Sequence, residues 1–134
     1  MIIAVDFDGI LAEDEFPSIG EPNRQMVELV KTLIKDGHEV VLWTSRTGQE
    51  LSNALTWSFF RGLEFCAIND NAPSNKAKYL ALYPQGTRKV SADIYIDDHS
   101  PEFVLDKKKY GYHTAVENMT KRVKEIAKLW KEEN

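Results

Sequence analysis

The sequence holds a single cysteine, Cys66, so no disulfide can close within the chain. It lies in the apolar run Phe65-Cys66-Ala67-Ile68, where a small hydrophobe is expected to be a buried core thiol rather than a nucleophile. Basic charge is not in excess: 17 Lys and Arg stand against 21 Asp and Glu, a formal net charge of -4. A broad nucleic-acid-binding face is thereby excluded, although an enzyme that visits a nucleic-acid end is not. No apolar run approaches the roughly 18 residues of a membrane-spanning helix, and no basic segment leads into an apolar one at the start. The expectation is a cytoplasmic protein without a membrane partner. No Cys/His cluster offers a zinc-type site among the three histidines.

What is present is an ordinary globular balance, 43% hydrophobic and 28% charged over 134 residues, which suits one domain spanning 1–134. Ile2-Ile3-Ala4-Val5 reads as a strand buried on both faces. Pro22 and Asn23 open a helix carrying Met26, Leu29, Val30, Leu33 and Ile34, which Gly37 stops. Strands are expected over Glu39–Trp43, Phe65–Asn69 and Asp93–Ile96, and a helix over Gln49–Arg61. A short helix is expected between Asp70 and Lys89, and an amphipathic helix carries Val116, Met119, Val123, Ile126, Ala127 and Trp130. This alternation implies an α/β fold: a doubly wound, Rossmann-like, mostly parallel sheet with helices on both faces. Ligands of such sheets bind beyond the carboxyl ends of the strands, so the residues after each strand matter most.

The first strand ends in Asp6-Phe7-Asp8-Gly9, the second in Thr44-Ser45-Arg46 and the fourth in Asp97-Asp98. Four carboxylates brought to one sheet edge repel one another and call for a cation. Oxygen-only ligands point to Mg2+. Alternate residues of an extended segment face the same way, so Asp6 and Asp8 can address one reacting centre, with Gly9 allowing a sharp turn behind them. One carboxylate can attack phosphorus while the other handles the leaving-group proton. Thr44 and Ser45 offer a hydroxyl and backbone N–H groups to phosphate oxygens, and a lysine would complete the charge balance.

In this order the motifs resemble those of the haloacid dehalogenase (HAD) superfamily: Val5-Asp6-Phe7-Asp8-Gly9, then Trp43-Thr44-Ser45-Arg46, then Ile96-Asp97-Asp98. The resemblance runs from Ile2 to about Pro101 and is to its small cap-less hydrolases. The stretch Ser91 to Asp98 is similar to the corresponding part of 5′(3′)-deoxyribonucleotidases. The resemblance implies a magnesium-dependent phosphomonoester hydrolase. In it Asp6 is nucleophile and metal ligand, and Asp8 is general acid and then base, its carbonyl oxygen on the metal. Thr44, Ser45 and a lysine bind the phosphoryl group, and one or both of Asp97 and Asp98 hold Mg2+. Lys89 is the favoured lysine and Lys76 its competitor.

Ile10 stands where the family usually has Thr or Val, and the missing hydroxyl is expected to loosen the turn. Together with the uncertain lysine, it supports an alternative: a weak or inactive metal-binding relative that serves as an interaction domain. A response-regulator receiver fits worse, since its phosphorylated Asp would follow a middle strand, where this chain has Thr44. The stretch Ile10 to Ile19 leaves room for a flap and for no cap domain. The open site suits a small phosphate ester, a nucleotide or a macromolecular phosphate end, or else homo-oligomerisation covers it. Arg46 at the mouth holds a second anionic group or pairs with an acid, and His99 stands where it can contact substrate. His38 and His113 read as structural, Lys107-Lys108-Lys109 as a solvated run, Asn69-Asp70-Asn71 as a turn, and Trp57, Phe59 and Phe60 mainly as core.

Overall fold

The computed structural model describes residues Met1 to Asn134. Four parallel strands form its main sheet: β1 (Ile2–Val5), β4 (Glu39–Leu42), β5 (Ala67–Ile68) and β6 (Ile94–Ile96), in the order β5-β4-β1-β6. Between β1 and β4 comes an antiparallel hairpin, β2 (Ala12–Glu15) and β3 (Ser18–Pro22). The helices are α1 (Arg24–Lys35), α2 (Gly48–Phe60), α3 (Pro73–Tyr79), α4 (Pro101–Tyr110) and α5 (Tyr112–Glu133). The fold is Rossmann-like α/β, as the alternation of elements implies. No helix is long and apolar enough to cross a membrane.

The pleat explains how so short a sheet builds a core. Ile3, Val5, Val40, Leu42 and Ile96 join the main cluster with Met26, Val30 and Leu33 of α1, Phe103 of α4 and Met119 and Val123 of α5. The alternating residue Val41 faces the other way and packs on Ala72, at the head of α3, and Val90. Each such fully buried aliphatic side chain stabilises the fold by about 1.5–3 kcal/mol relative to exposure. β1 is central, registered against β4 through Ile3 and Val40 and against β6 through Ile3 and Ile94. The chain runs outward from β1 to β4 and β5, then returns to β1's other side as β6. The strand order therefore reverses between β1 and β6, and a crevice opens there.

Several expectations are corrected. The third strand is only Ala67–Ile68, and Cys66 lies exposed before it rather than in the core. Partial burial and the nearby Glu39 carboxylate push its thiol up. Phe59 and Phe60, at the outer end of α2, are 71% and 78% exposed, while Trp57 packs edge-on against Phe7 at 5.2 Å between ring centroids. The hairpin β2–β3 occupies the place of the expected flap. α4 is an additional helix, and its last turn carries Lys107, Lys108 and Lys109 in solvent, where cations suit the negative end of the helix.

Candidate active site

The end of β1 is fixed by its neighbours. Asp6 N–H donates to Ile96 O at 2.9 Å, Trp43 N–H donates to Val5 O at 2.8 Å, and Phe7 N–H donates to the Asp6 carboxylate at 2.8 Å. From β6 come Asp97 and Asp98, and one carboxylate oxygen from each of Asp6, Asp97 and Asp98 lies within 4.8 Å of the others. Burial, a hydrogen bond with Asp98 and the charges of Asp97 and Asp98 together push the Asp6 carboxyl up to about 8. Asp98 is also raised, burial being the largest cause. Three crowded, half-buried acids with no cation of the chain between them form an oxygen-only donor set of the kind a hard divalent cation takes.

The turn after β1 makes the crowding possible. Gly9 has φ +87°, and a β-carbon there would stand 2.2 Å from Asp98 Oδ2. Phe7 O accepts from the N–H groups of Ile10, Leu11 and Ala12, and Tyr112 Oη donates to Gly9 O at 2.9 Å. Asn23 Nδ2 donates both to Ile10 O and to Tyr112 Oη, each at 2.8 Å. Ile10 is fully buried in the main core. The turn is therefore anchored by backbone hydrogen bonds and by burial, with no hydroxyl at Ile10.

Asp8 stands apart from that cluster. Its two oxygens accept from Arg46 Nη2 at 2.7 Å and Nε at 2.8 Å, and its carboxylate is not among the three acids. Arg46 thus pairs with an acid, and it does so while only 1% exposed. Thr44 is held by its N–H to Asn69 Oδ1 at 2.8 Å, and its hydroxyl oxygen accepts from Arg46 N–H at 3.1 Å.

A cleft of about 290 Å³ gathers these residues: Asp6, Asp8 and Asp98, with Thr44, Ser45 and Arg46 from the end of β4. His99 is also at its wall, its side chain 88% exposed and its Nε2 3.8 Å from Asp98 Oδ1. Two further lining residues, Asp14 and Phe16, come from the hairpin. The sequence leaves room for a flap there, but nothing in Glu13-Asp14-Glu15-Phe16 marks which of its residues face inward.

Neither lysine lines this cleft. Lys89 sits with its ammonium 5.8 Å from the centre of the Tyr95 ring. Its segment is pinned beneath: Val90 is buried against Val41 and Ala72, and Lys89 O accepts from Thr87 Oγ1 and Asn71 Nδ2. Lys76 pairs with Asp70 and lines a separate hollow with Tyr79 and Thr87. Of the Asn69-Asp70-Asn71 turn, Asn69 therefore holds Thr44, Asp70 holds Lys76, and Asn71 holds the Thr87–Ser91 segment.

No protein-family model matches the chain, and no curated protein does. A solved structure of a conserved protein from Bacteroides thetaiotaomicron is 38% identical, covers 81% of this chain and 89% of its own, and superposes with a TM-score of 0.64. At that identity over most of both chains, with the same fold, this chain belongs to the family of that Bacteroides thetaiotaomicron protein.

Proposed function

We propose that the chain is a magnesium-dependent phosphomonoester hydrolase of the HAD type, acting through a phospho-aspartate on Asp6. The observation that carries the reading is the meeting of Asp6 with Asp97 and Asp98 at the strand-order reversal, where Asp6 and Asp98 line one cleft with Asp8, Thr44 and Ser45. A structural acid cluster has no need of two hydroxyl residues and a second carboxylate around it. Asp6, Asp97 and Asp98 fit Mg2+ through their carboxylates, and the Asp8 carbonyl oxygen is a further candidate ligand. When bound, Mg2+ neutralises the acids and the charge of the transferring group.

In the first half-reaction an Asp6 carboxylate oxygen attacks phosphorus and the bond to the ester oxygen breaks. That oxygen takes a proton from Asp8 and leaves as the alcohol. In the second, water attacks the phosphorus of the aspartyl phosphate while Asp8 takes its proton. Inorganic phosphate departs and the Asp6 carboxylate is restored. Thr44 Oγ1–H, Ser45 and nearby backbone N–H groups receive the phosphoryl oxygens. Lys89 is left out of these steps, since it stands away from the cleft. The open mouth suits a small phosphate ester, a nucleotide or a macromolecular phosphate end, and the exposed Phe59 and Phe60 support homo-oligomerisation as a further feature of the reading. The single unpaired Cys66 fits a cytoplasmic setting.

Phosphate release from a panel of sugar phosphates, nucleotides, 3′-phosphorylated oligonucleotides and an aryl phosphate tests this. Activity is expected to require Mg2+ and to vanish in Asp6→Asn; undiminished turnover by Asp6→Asn removes the mechanism. The second reading, a metal-binding relative without turnover, is favoured by one observation: no lysine lines the cleft. Tight Mg2+ binding with no hydrolysis anywhere in the panel selects it.

A further inference from the structure

Arg46 is the one charged side chain among the buried residues. A guanidinium has five N–H bonds, and here every one has an acceptor. Nε and Nη2 donate to the two oxygens of Asp8, and Nη2 donates also to Ser18 O at 2.8 Å. Nη1 donates to Pro17 O at 3.2 Å and to Glu50 O at 3.3 Å. Its carbon centre lies 5.1 Å from the Phe7 ring centroid and 5.2 Å from that of Phe16. The group thus joins three parts of the fold: the turn after β1 through Asp8, the hairpin turn through Pro17 and Ser18, and the first turn of α2 through Glu50.

We infer that Arg46 is a positioning residue for Asp8, holding the acid–base carboxylate in place and taking its own place from the hairpin turn. The inference rests on the phosphatase reading. A buried ion pair is weak evidence for stability, because its desolvation offsets most of the attraction. What a planar, doubly bonded fork adds is orientation, which an ammonium cannot supply. Each Asp8 oxygen accepts one N–H from Arg46 and keeps a second lone pair. The proton that passes to the leaving oxygen, and later comes from water, is carried there. The hairpin and Asp8 share one clamp, so the cleft wall that bears Phe16 and the acid–base group are set together.

The test compares kcat/KM, which reports phosphoryl transfer to Asp6, for an aryl phosphate with a good leaving group and an alkyl phosphate with a poor one. The alkyl ester needs a proton from Asp8, while the aryl ester scarcely does. Arg46→Lys is expected to lower kcat/KM for the alkyl ester by about 10²-fold more than for the aryl ester, the same pattern expected of Asp8→Asn. The aryl ester is also expected to give a burst, with phosphoenzyme accumulating because water is no longer deprotonated. Equal losses for both esters without a burst overturn the role of Arg46 and leave the phosphatase reading standing. A wild type inactive on both esters overturns that reading, and this role with it. If Arg46→Lys does not fold, the arginine Nε–H resonances of wild type and Asp8→Asn decide. A slowly exchanging Arg46 signal that shifts and exchanges faster in Asp8→Asn supports the clamp, and one unmoved by the change overturns it.

Discussion

At Gly9 only a hydrogen fits between the backbone and the Asp98 carboxylate, and the residue also needs a positive φ. Gly9→Ala therefore meets two obstacles at once. Left-handed backbone costs about 1–2 kcal/mol for an L residue, and the added methyl must push Asp98 away from Asp6. The expected outcome is a loss of at least about 2 kcal/mol in a urea titration, together with loss of the Mg2+-induced rise in Tm; wild-type stability in this variant would contradict the close approach. Asp6→Asn acts in the opposite direction on the metal-free protein. It removes one of three crowded charges, so the metal-free variant is expected to melt above the wild type at pH 8 while no longer responding to Mg2+. A metal-free Tm below that of the wild type would mean that the three acids are not in mutual repulsion.

The elements that the sequence made legible are those with a strong apolar period. The run Ile2–Val5 and the stripe Met26, Leu29, Val30 and Leu33 declare β1 and α1 because burial sets their spacing. β2 was not legible: Ala12-Glu13-Asp14-Glu15 has neither β-branched residues nor alternation, and its pairing with β3 comes from tertiary placement over the cleft. α4 escaped because it buries only Phe103. At the site, the three acids and Thr44 could be found from motif and strand end. That Arg46 pairs with an acid is one of two expectations from the sequence, but which acid is not legible there, since nothing local says that Arg46 folds inward across the hairpin rather than outward to solvent. Likewise Lys89 sits in a suitable place along the chain, but the burial of Val90 decides where its segment runs. Element packing also yields a test at the start of α5. Tyr112 donates to Gly9 O and accepts from Asn23, and burial pushes its phenol up to about 12. Tyr112→Phe leaves both partners short of a hydrogen bond and is expected to cost about 1–2 kcal/mol in denaturant unfolding, with a lower kcat. An unchanged midpoint would show that the helix does not brace the turn.

Over the whole molecule, the acid cluster couples stability to pH and, on the proposed function, to cations. Asp6 is raised from the ordinary carboxylate range to about 8, with burial the main cause. Its favourable contribution is therefore complete below about pH 4 and is lost as pH rises through about 8. The metal-free protein is expected to lose Tm across that window. On the proposed metal site Mg2+ would compete with the proton for the same oxygens, so the rise in Tm at a fixed Mg2+ concentration is expected to be larger at pH 8 than at pH 5.5. A rise that does not depend on pH would show that the ion binds somewhere other than these carboxylates. The order of the strands carries one more consequence, for the time course of folding. β1 meets β4 early along the chain, but on its other side Ile2 bonds to Asp93, 91 residues away. Closing that loop costs more entropy than closing the first, and it alone brings Asp97 and Asp98 beside Asp6. A chain that has collapsed around β1, α1 and β4 without seating β6 holds one acid of the three and no place for a divalent ion. In refolding, recovery of cation affinity should then trail the recovery of helix, and serve as a gauge of the last strand to arrive.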